Sequence, residues 1–362
     1  MSGAGTEWTD VTVEVFNHCA GTCTGCLLSA AERKASLPVT TTDEFDAVAA
    51  AVAEHGERSG TAYRMVLTFG DVPSIPSSMQ ERYWRSCSSR GLRIGATMTM
   101  ADESMERHRR SWERLIEHDG GAVFDVTVDP IRLARDDGYV RRIEEASATA
   151  PHLHLAALLS EAVMGTFSPE ALASLFSDRL PGRPLSLGFA PSLGNLSRTN
   201  YGYDVSSAAD YARRFHAFDS VQAAHLEREL GRFECSGGYA SFLRSTFHVG
   251  AGGEVFPTAW TMFGDVILDG RNGGRSLGRL TPGGVSLTDL LSGPTARRLA
   301  VENSATLDSD GHWNCRDCPH LESCDANGIG LVRRLYAGHE RRVGSCHGPR
   351  DFVSAAGIEG DR

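Results

Sequence analysis

Val11-Thr-Val-Glu-Val-Phe-Asn-His-Cys19-Ala-Gly-Thr-Cys23-Thr-Gly-Cys26 decides how this chain is read. A short β-branched run, Val11–Phe16, has strand character. Cys19, Cys23 and Cys26 follow it at once in a C-x3-C-x2-C spacing. Thiolates are soft ligands that suit iron–sulfur clusters. Three on one loop hold three irons of a [4Fe–4S] cluster and leave the fourth without a protein ligand, open to a small chelating cosubstrate. Gly21 and Gly25 let the loop wrap closely. Zinc usually takes four closed ligands, so it fits a triplet alone poorly.

Outward from this loop, strand-like and helix-like segments alternate. Val11–Phe16, Arg64–Phe69, Arg93–Met98, Val123–Val128, His152–Leu158 and Pro184–Phe189 read as strands. Thr42–Glu57, Met79–Arg90, Glu103–His118, Tyr139–Ala148 and Pro169–Leu180 read as helices, with Ser168 a helix start before Pro169. The pattern predicts an α/β fold with a parallel sheet and right-handed crossovers. Composition does not choose between an open doubly wound sheet and a curved partial barrel. In either, a ligand site sits at the C-terminal ends of the strands, where the Cys triplet falls. Beyond Gly194 the pattern changes. Ser206–Phe218 and Ser220–Leu230 read as helices, Ser245–Val249 and Glu254–Thr258 as a hairpin around Gly250–Gly253, and Ser286–Glu302 as a helix.

The bulk properties narrow the class. At 362 residues the chain suits a large α/β domain and a smaller one. A net charge of −10 opposes a general nucleic-acid or anionic-membrane binder. No apolar run reaches the roughly 18 residues of a membrane span. The polar start, Met1–Asp10, lacks the features of a secretory signal. A cytoplasmic protein is expected, with reduced thiols. Its nine cysteines then point to metal or redox chemistry before disulfides.

Two further stretches carry chemistry. Leu67-Thr-Phe-Gly-Asp-Val-Pro73 closes the second strand and by itself is a strand-ending turn rich in Gly, Asp and Pro. Cys315-Arg-Asp-Cys318, Cys324 and Cys346 form a second Cys set. By itself that set suits a structural Zn(Cys)4 site as well as a [4Fe–4S] cluster. Lesser candidates for an active-site wall are Asp125, Thr127 and Asp129, which share a strand face, and His152 with His154 on the next strand. Asn195, Ser197 and Arg198 follow the sixth strand. Cys87 reads as core, and Arg107–Arg110 as a solvated helix face.

The triplet and its place after the first strand resemble the radical S-adenosylmethionine (SAM) superfamily. The resemblance implies a SAM-binding [4Fe–4S] cluster on Cys19, Cys23 and Cys26. Phe69-Gly70-Asp71-Val72 stands where that family carries Gly-Gly-Glu-Pro, so it implies SAM contacts from Gly70 and Asp71; Phe69 and Val72 depart from the motif. Gly25 departs too, standing where an aromatic residue is often found. The set Cys315, Cys318, Cys324 and Cys346 resembles the second auxiliary cluster of the SPASM extension. Cys235-Ser-Gly-Gly and the hairpin also sit as in that pattern, but Thr258 and Gly328 occupy the other two ligand positions of its first cluster. One auxiliary [4Fe–4S] cluster is therefore expected, with Cys235 read as a leftover buried thiol in preference to a ligand.

The expected architecture is a partial (β/α)6 TIM-like barrel followed by a small Cys-rich SPASM/twitch-like iron–sulfur domain. Its parts are a tail at 1–10, the barrel at 11–200, connecting helices at 201–234, the auxiliary-cluster domain at 235–350 and a tail at 351–362. The implied activity is SAM cleavage to a 5′-deoxyadenosyl radical that takes a hydrogen from a residue of a ribosomal peptide or protein, oxidising or cross-linking it. An electron donor such as flavodoxin or ferredoxin is implied as a partner. The alternatives are a radical SAM dehydrogenase of a small molecule and a non-catalytic, zinc-stabilised binding protein. No catalytic acid or base is assigned.

Overall fold

The computed structural model describes residues 8–19, 21, 31, 34, 38–68, 70–101, 105–150, 152–159, 161–189, 210–211, 214–215, 217–218, 245–256 and 276–298. Its strands are β1 (Thr9–Glu14), β2 (Tyr63–Thr68), β3 (Arg93–Met98), β4 (Val123–Val128), β5 (Leu153–Leu159), β6 (Ser186–Phe189), β7 (Ser245–Val249), β8 (Glu254–Phe256) and β9 (Gly278–Arg279). Its helices are α1 (Thr42–Ser59), α2 (Ser77–Ser88), α3 (Met105–His118), α4 (Pro130–Arg135), α5 (Asp137–Thr149), α6 (Glu161–Thr166), α7 (Pro169–Arg179) and α8 (Leu287–Ser292).

Local chemistry explains the boundaries. Thr41 caps α1 with a full capping box: its hydroxyl takes the Glu44 N–H, and the Glu44 carboxylate takes the Thr41 N–H. Such a cap contributes about 1 kcal/mol. Gly60 ends α1 in the left-handed conformation, φ 70°. The expected helix over 286–302 instead breaks at Gly293, which is extended, because Pro294 excludes the helical conformation from the residue before it. Helix α4 has no counterpart among the expected helices; Asp129 caps it through the N–H groups of Ile131 and Arg132, and Pro130 fills its first position. The helices expected at 206–218 and 220–230 lie largely outside the described residues.

Among the described residues one sheet runs in the order β6-β5-β4-β3-β2-β1-β7-β8-β9. Strands β1 to β7 pair in parallel and β7-β8-β9 antiparallel. The hairpin grouped by sequence with the C-terminal extension thus continues the same sheet, on the far side of β1. Register settles the layering. Val13 pairs Leu67, Leu67 pairs Ala96, and Ala96 pairs Phe124. All four are buried in one cluster with Phe45 and Val48 of α1, Tyr83 and Trp84 of α2, Trp112 of α3 and Ile143 of α5. A doubly wound sheet reverses its strand order and carries helices on both faces. Here β1 to β6 run in sequence and their crossover helices cover one face.

The opposite face is polar. Asp10, Thr12 and Glu14 of β1 alternate with the core valines. Asp10 takes a bidentate pair from Arg64, at 2.6 and 2.7 Å. Thr12 bonds Nδ1 of His248 at 2.7 Å across β1 and β7. Burial pushes the His248 imidazole down to about 3. It stays neutral in the fold while the unfolded chain protonates near 6.5. Between those values the unfolded state binds more protons, so stability falls as pH falls. The expected slope is up to about 1.4 kcal/mol per pH unit from this group. Urea unfolding of the protein and of His248→Gln across pH 4 to 7 checks it: the variant loses that part of the slope, and parallel curves would assign the acid sensitivity elsewhere.

Candidate active site

The site is built where β1, β2 and β3 end. Buried Thr40 fixes the exit from β1. Its hydroxyl donates to the Glu14 carbonyl at 2.6 Å and accepts the Gly252 N–H at 3.2 Å. The Tyr83 hydroxyl donates to the Thr40 carbonyl at 3.0 Å. This ties the loop to the β7–β8 turn and to α2. The chain then runs through Val15, Phe16, Asn17 and His18 to Cys19. Backbone N–H of Gly21 donates to Cys19 Sγ at 3.2 Å, and the Thr99 hydroxyl stands 3.8 Å from the same sulfur.

Gly70 brings the β2 loop against this segment. It has φ +93°, and a Cβ there would lie 2.1 Å from the Phe16 carbonyl oxygen. The next N–H, of Asp71, donates to the His18 carbonyl at 3.2 Å. The Asp71 carboxyl is buried and turned toward β3. Oδ1 accepts the Thr99 N–H at 2.9 Å and lies 3.2 Å from the Thr99 hydroxyl; Oδ2 accepts from Ser74 at 3.2 Å. Burial pushes this carboxyl up, while the charge of His108, the Thr99 donors and Ser74 oppose that shift. The three loops therefore form one stack, from Cys19 to Asp71 to Thr99. Beyond Thr99, Met100 adopts φ 52°, and its carbonyl accepts from the buried guanidinium of Arg142 at 2.8 Å.

The polar sheet face carries a second charged group. Asp125 and His154 are register partners on β4 and β5, 3.4 Å apart. Thr127 lies two residues further along β4. Asp129 does not join this wall: it is 7% exposed and spends its carboxylate capping α4. His152 precedes β5 in a turn and is exposed. Cys87 is fully buried, and burial pushes its thiol far up.

Of the sites read from sequence, Cys19, Gly70 and Asp71 come together. Cys23, Cys26, Asn195, Ser197, Arg198, Cys235, Cys315, Cys318, Cys324 and Cys346 lie outside the described residues. Among the described residues no three His, Cys, Asp or Glu are grouped to hold a metal ion. Nor is any helix among them long and apolar enough to cross a membrane. Sequence reasoning missed Thr99 and His108. Thr99 directly follows the third strand, a position that marks it from sequence. His108 sits inside the basic run Arg107–Arg110; the arginines lie outward, but His108 is buried beside Asp71.

No protein-family model matches the chain. No curated protein matches it. Solved structures do. They include anSMEcpe with bound AdoMet and the Cp18Cys peptide, at TM-score 0.58 and 11% identity over 97% of this chain and 99% of that one. The chain shares that fold. It is similar also to anSMEcpe with bound AdoMet, at TM-score 0.57 and 11% identity over 90% of this chain and 98% of that one. SuiB of Streptococcus suis bound to the precursor peptide SuiA matches at TM-score 0.51 and 11% identity, over 90% of this chain and 73% of that one.

Proposed function

We propose that this chain is a radical SAM enzyme that modifies a residue of a ribosomal peptide or protein. One observation carries the reading: Cys19, the first of the triplet, lies at the C-terminal end of β1 against the β2 and β3 loops. The fold is one in which other chains hold AdoMet and peptides.

The donors present suit an iron–sulfur ligand. The Gly21 N–H already points at Cys19 Sγ, and backbone N–H groups stabilise a sulfur that carries negative charge. Cys19, Cys23 and Cys26 would hold the cluster and leave one iron open. When bound, the cluster would supply the electron for reductive cleavage of SAM to methionine and a 5′-deoxyadenosyl radical, and that radical would take the substrate hydrogen. The chain's own residues place and shield that chemistry. Gly70 lets the β2 loop close onto the β1 loop, and Asp71 fixes that loop to β3, so both shape the SAM seat. Thr127 and the Asp125–His154 pair line the polar face, where a peptide side chain would lie. Cys315, Cys318, Cys324 and Cys346 would hold one auxiliary [4Fe–4S] cluster able to accept the electron left on the substrate.

Anaerobic reconstitution tests this. The protein is expected to be brown, to absorb broadly near about 400 nm, and to hold about eight irons. Reduction with SAM then yields 5′-deoxyadenosine. A colourless protein with stoichiometric zinc would sink the reading.

A further inference from the structure

The Thr99 hydroxyl lies between two acceptors. Asp71 Oδ1 is 3.2 Å away and Cys19 Sγ 3.8 Å away. The Thr99 N–H donates to Asp71 Oδ1 at 2.9 Å, which holds the backbone, and the hydroxyl oxygen accepts the Ala101 N–H at 3.3 Å, which orients the side chain. Asp71 is 1% exposed and Thr99 8% exposed. Two fixed donor–acceptor contacts therefore orient Thr99 without help from solvent. A cysteine bound to iron is a thiolate. It has no proton to give, so the contact between Sγ and the hydroxyl is favourable only with Thr99 as donor. The carboxylate keeps the Thr99 N–H when the hydroxyl turns, so the turn leaves the backbone in place.

The geometry points to Thr99 as a positioning residue for the catalytic cluster, its hydroxyl donating to the Cys19 thiolate and Asp71 holding it there. This rests on the radical SAM reading. It gives Asp71 a task behind the cluster rather than on the cosubstrate. A hydrogen bond to a cluster thiolate stabilises the reduced, more negative state and raises its potential. Thr99 would then set how readily the cluster accepts its electron.

Thr99→Val keeps the shape and the backbone N–H and removes the hydroxyl; Thr99→Ser keeps the hydroxyl. The midpoint potential of the cluster whose paramagnetic resonance signal changes on adding SAM is titrated in each. Thr99→Val is expected to shift that midpoint to more negative potential, and Thr99→Ser to stay near the unsubstituted protein. An unchanged midpoint in Thr99→Val, or a positive shift, overturns the inference. If Thr99→Val does not retain iron, Thr99→Ala is loaded beside it. Loss of iron from both, with full iron in Thr99→Ser and unchanged melting of the metal-free proteins, supports the same role. Loss of iron together with lowered melting marks a packing role and overturns it. An unsubstituted protein with no SAM-responsive signal would sink the proposed function itself; an unmoved midpoint beside a normal signal sinks this inference alone.

Discussion

Cys19→Ala is expected to abolish 5′-deoxyadenosine formation and to leave the fold intact. The two effects separate because the thiol contributes little to packing. It is half-buried, and its contacts with the Gly21 N–H at 3.2 Å and the Thr99 hydroxyl at 3.8 Å lie in the loops, not in the hydrophobic cluster under the sheet. In the proposed role of iron ligand the same atom would be indispensable. Loss of partners outside the ligand shell already costs about 10- to 100-fold in metal affinity or activity. Loss of a ligand should exceed that, taking the yield to background. Cys23→Ala and Cys26→Ala should match it. Product chromatography measures the yield, and thermal melting of the metal-free protein measures the fold. Retained SAM cleavage in Cys19→Ala would refute the cluster assignment.

Gly70→Ala is expected to cost about 3 kcal/mol or more of folding stability and to weaken SAM binding with it. Two costs combine. At φ +93° a side chain is strained whatever the space. The new Cβ would also stand 2.1 Å from the Phe16 carbonyl oxygen, a backbone atom that cannot rotate away. The β1 loop must then separate from the β2 loop, taking Cys19 from Thr99. Gly60→Ala is the control. Gly60 has φ +70° but open space around it, so its substitution should cost only about 1 kcal/mol of backbone strain. Urea unfolding of both variants decides: equal losses would show that the close approach at Gly70 contributes nothing.

Much of the parallel sheet is legible in periodicity alone. Arg93–Met98 and Val123–Val128 are strands at the expected residues, and β1, β2, β5 and β6 differ by a residue or two at their ends. The expected turn at Gly250–Gly253 separates β7 and β8. Helix α4 was missed although its signal is local. Asp129 and Pro130 form a cap and first turn, but Asp129 continues the alternation of Asp125 and Thr127 and so read as part of a strand. His108 was missed for the converse reason. Its neighbours Arg107, Arg109 and Arg110 dominate the local pattern, and nothing in a basic run marks which residue faces inward.

By itself, the sequence determined that this chain is α/β, that a Cys triplet follows its first strand, and that Gly70 and Asp71 follow its second. Those facts rest on short-range properties: side-chain alternation, cap and turn chemistry, and the spacing of cysteines within one short stretch. Tertiary structure alone decided that β7 pairs with β1 and that the crossover helices cover one face. It also turned the Asp71 carboxyl toward Thr99 on the neighbouring loop, and brought Thr99 to Cys19. These pairings join residues 28 to 236 positions apart. They depend on register and on which face is buried, and a linear pattern read segment by segment carries neither.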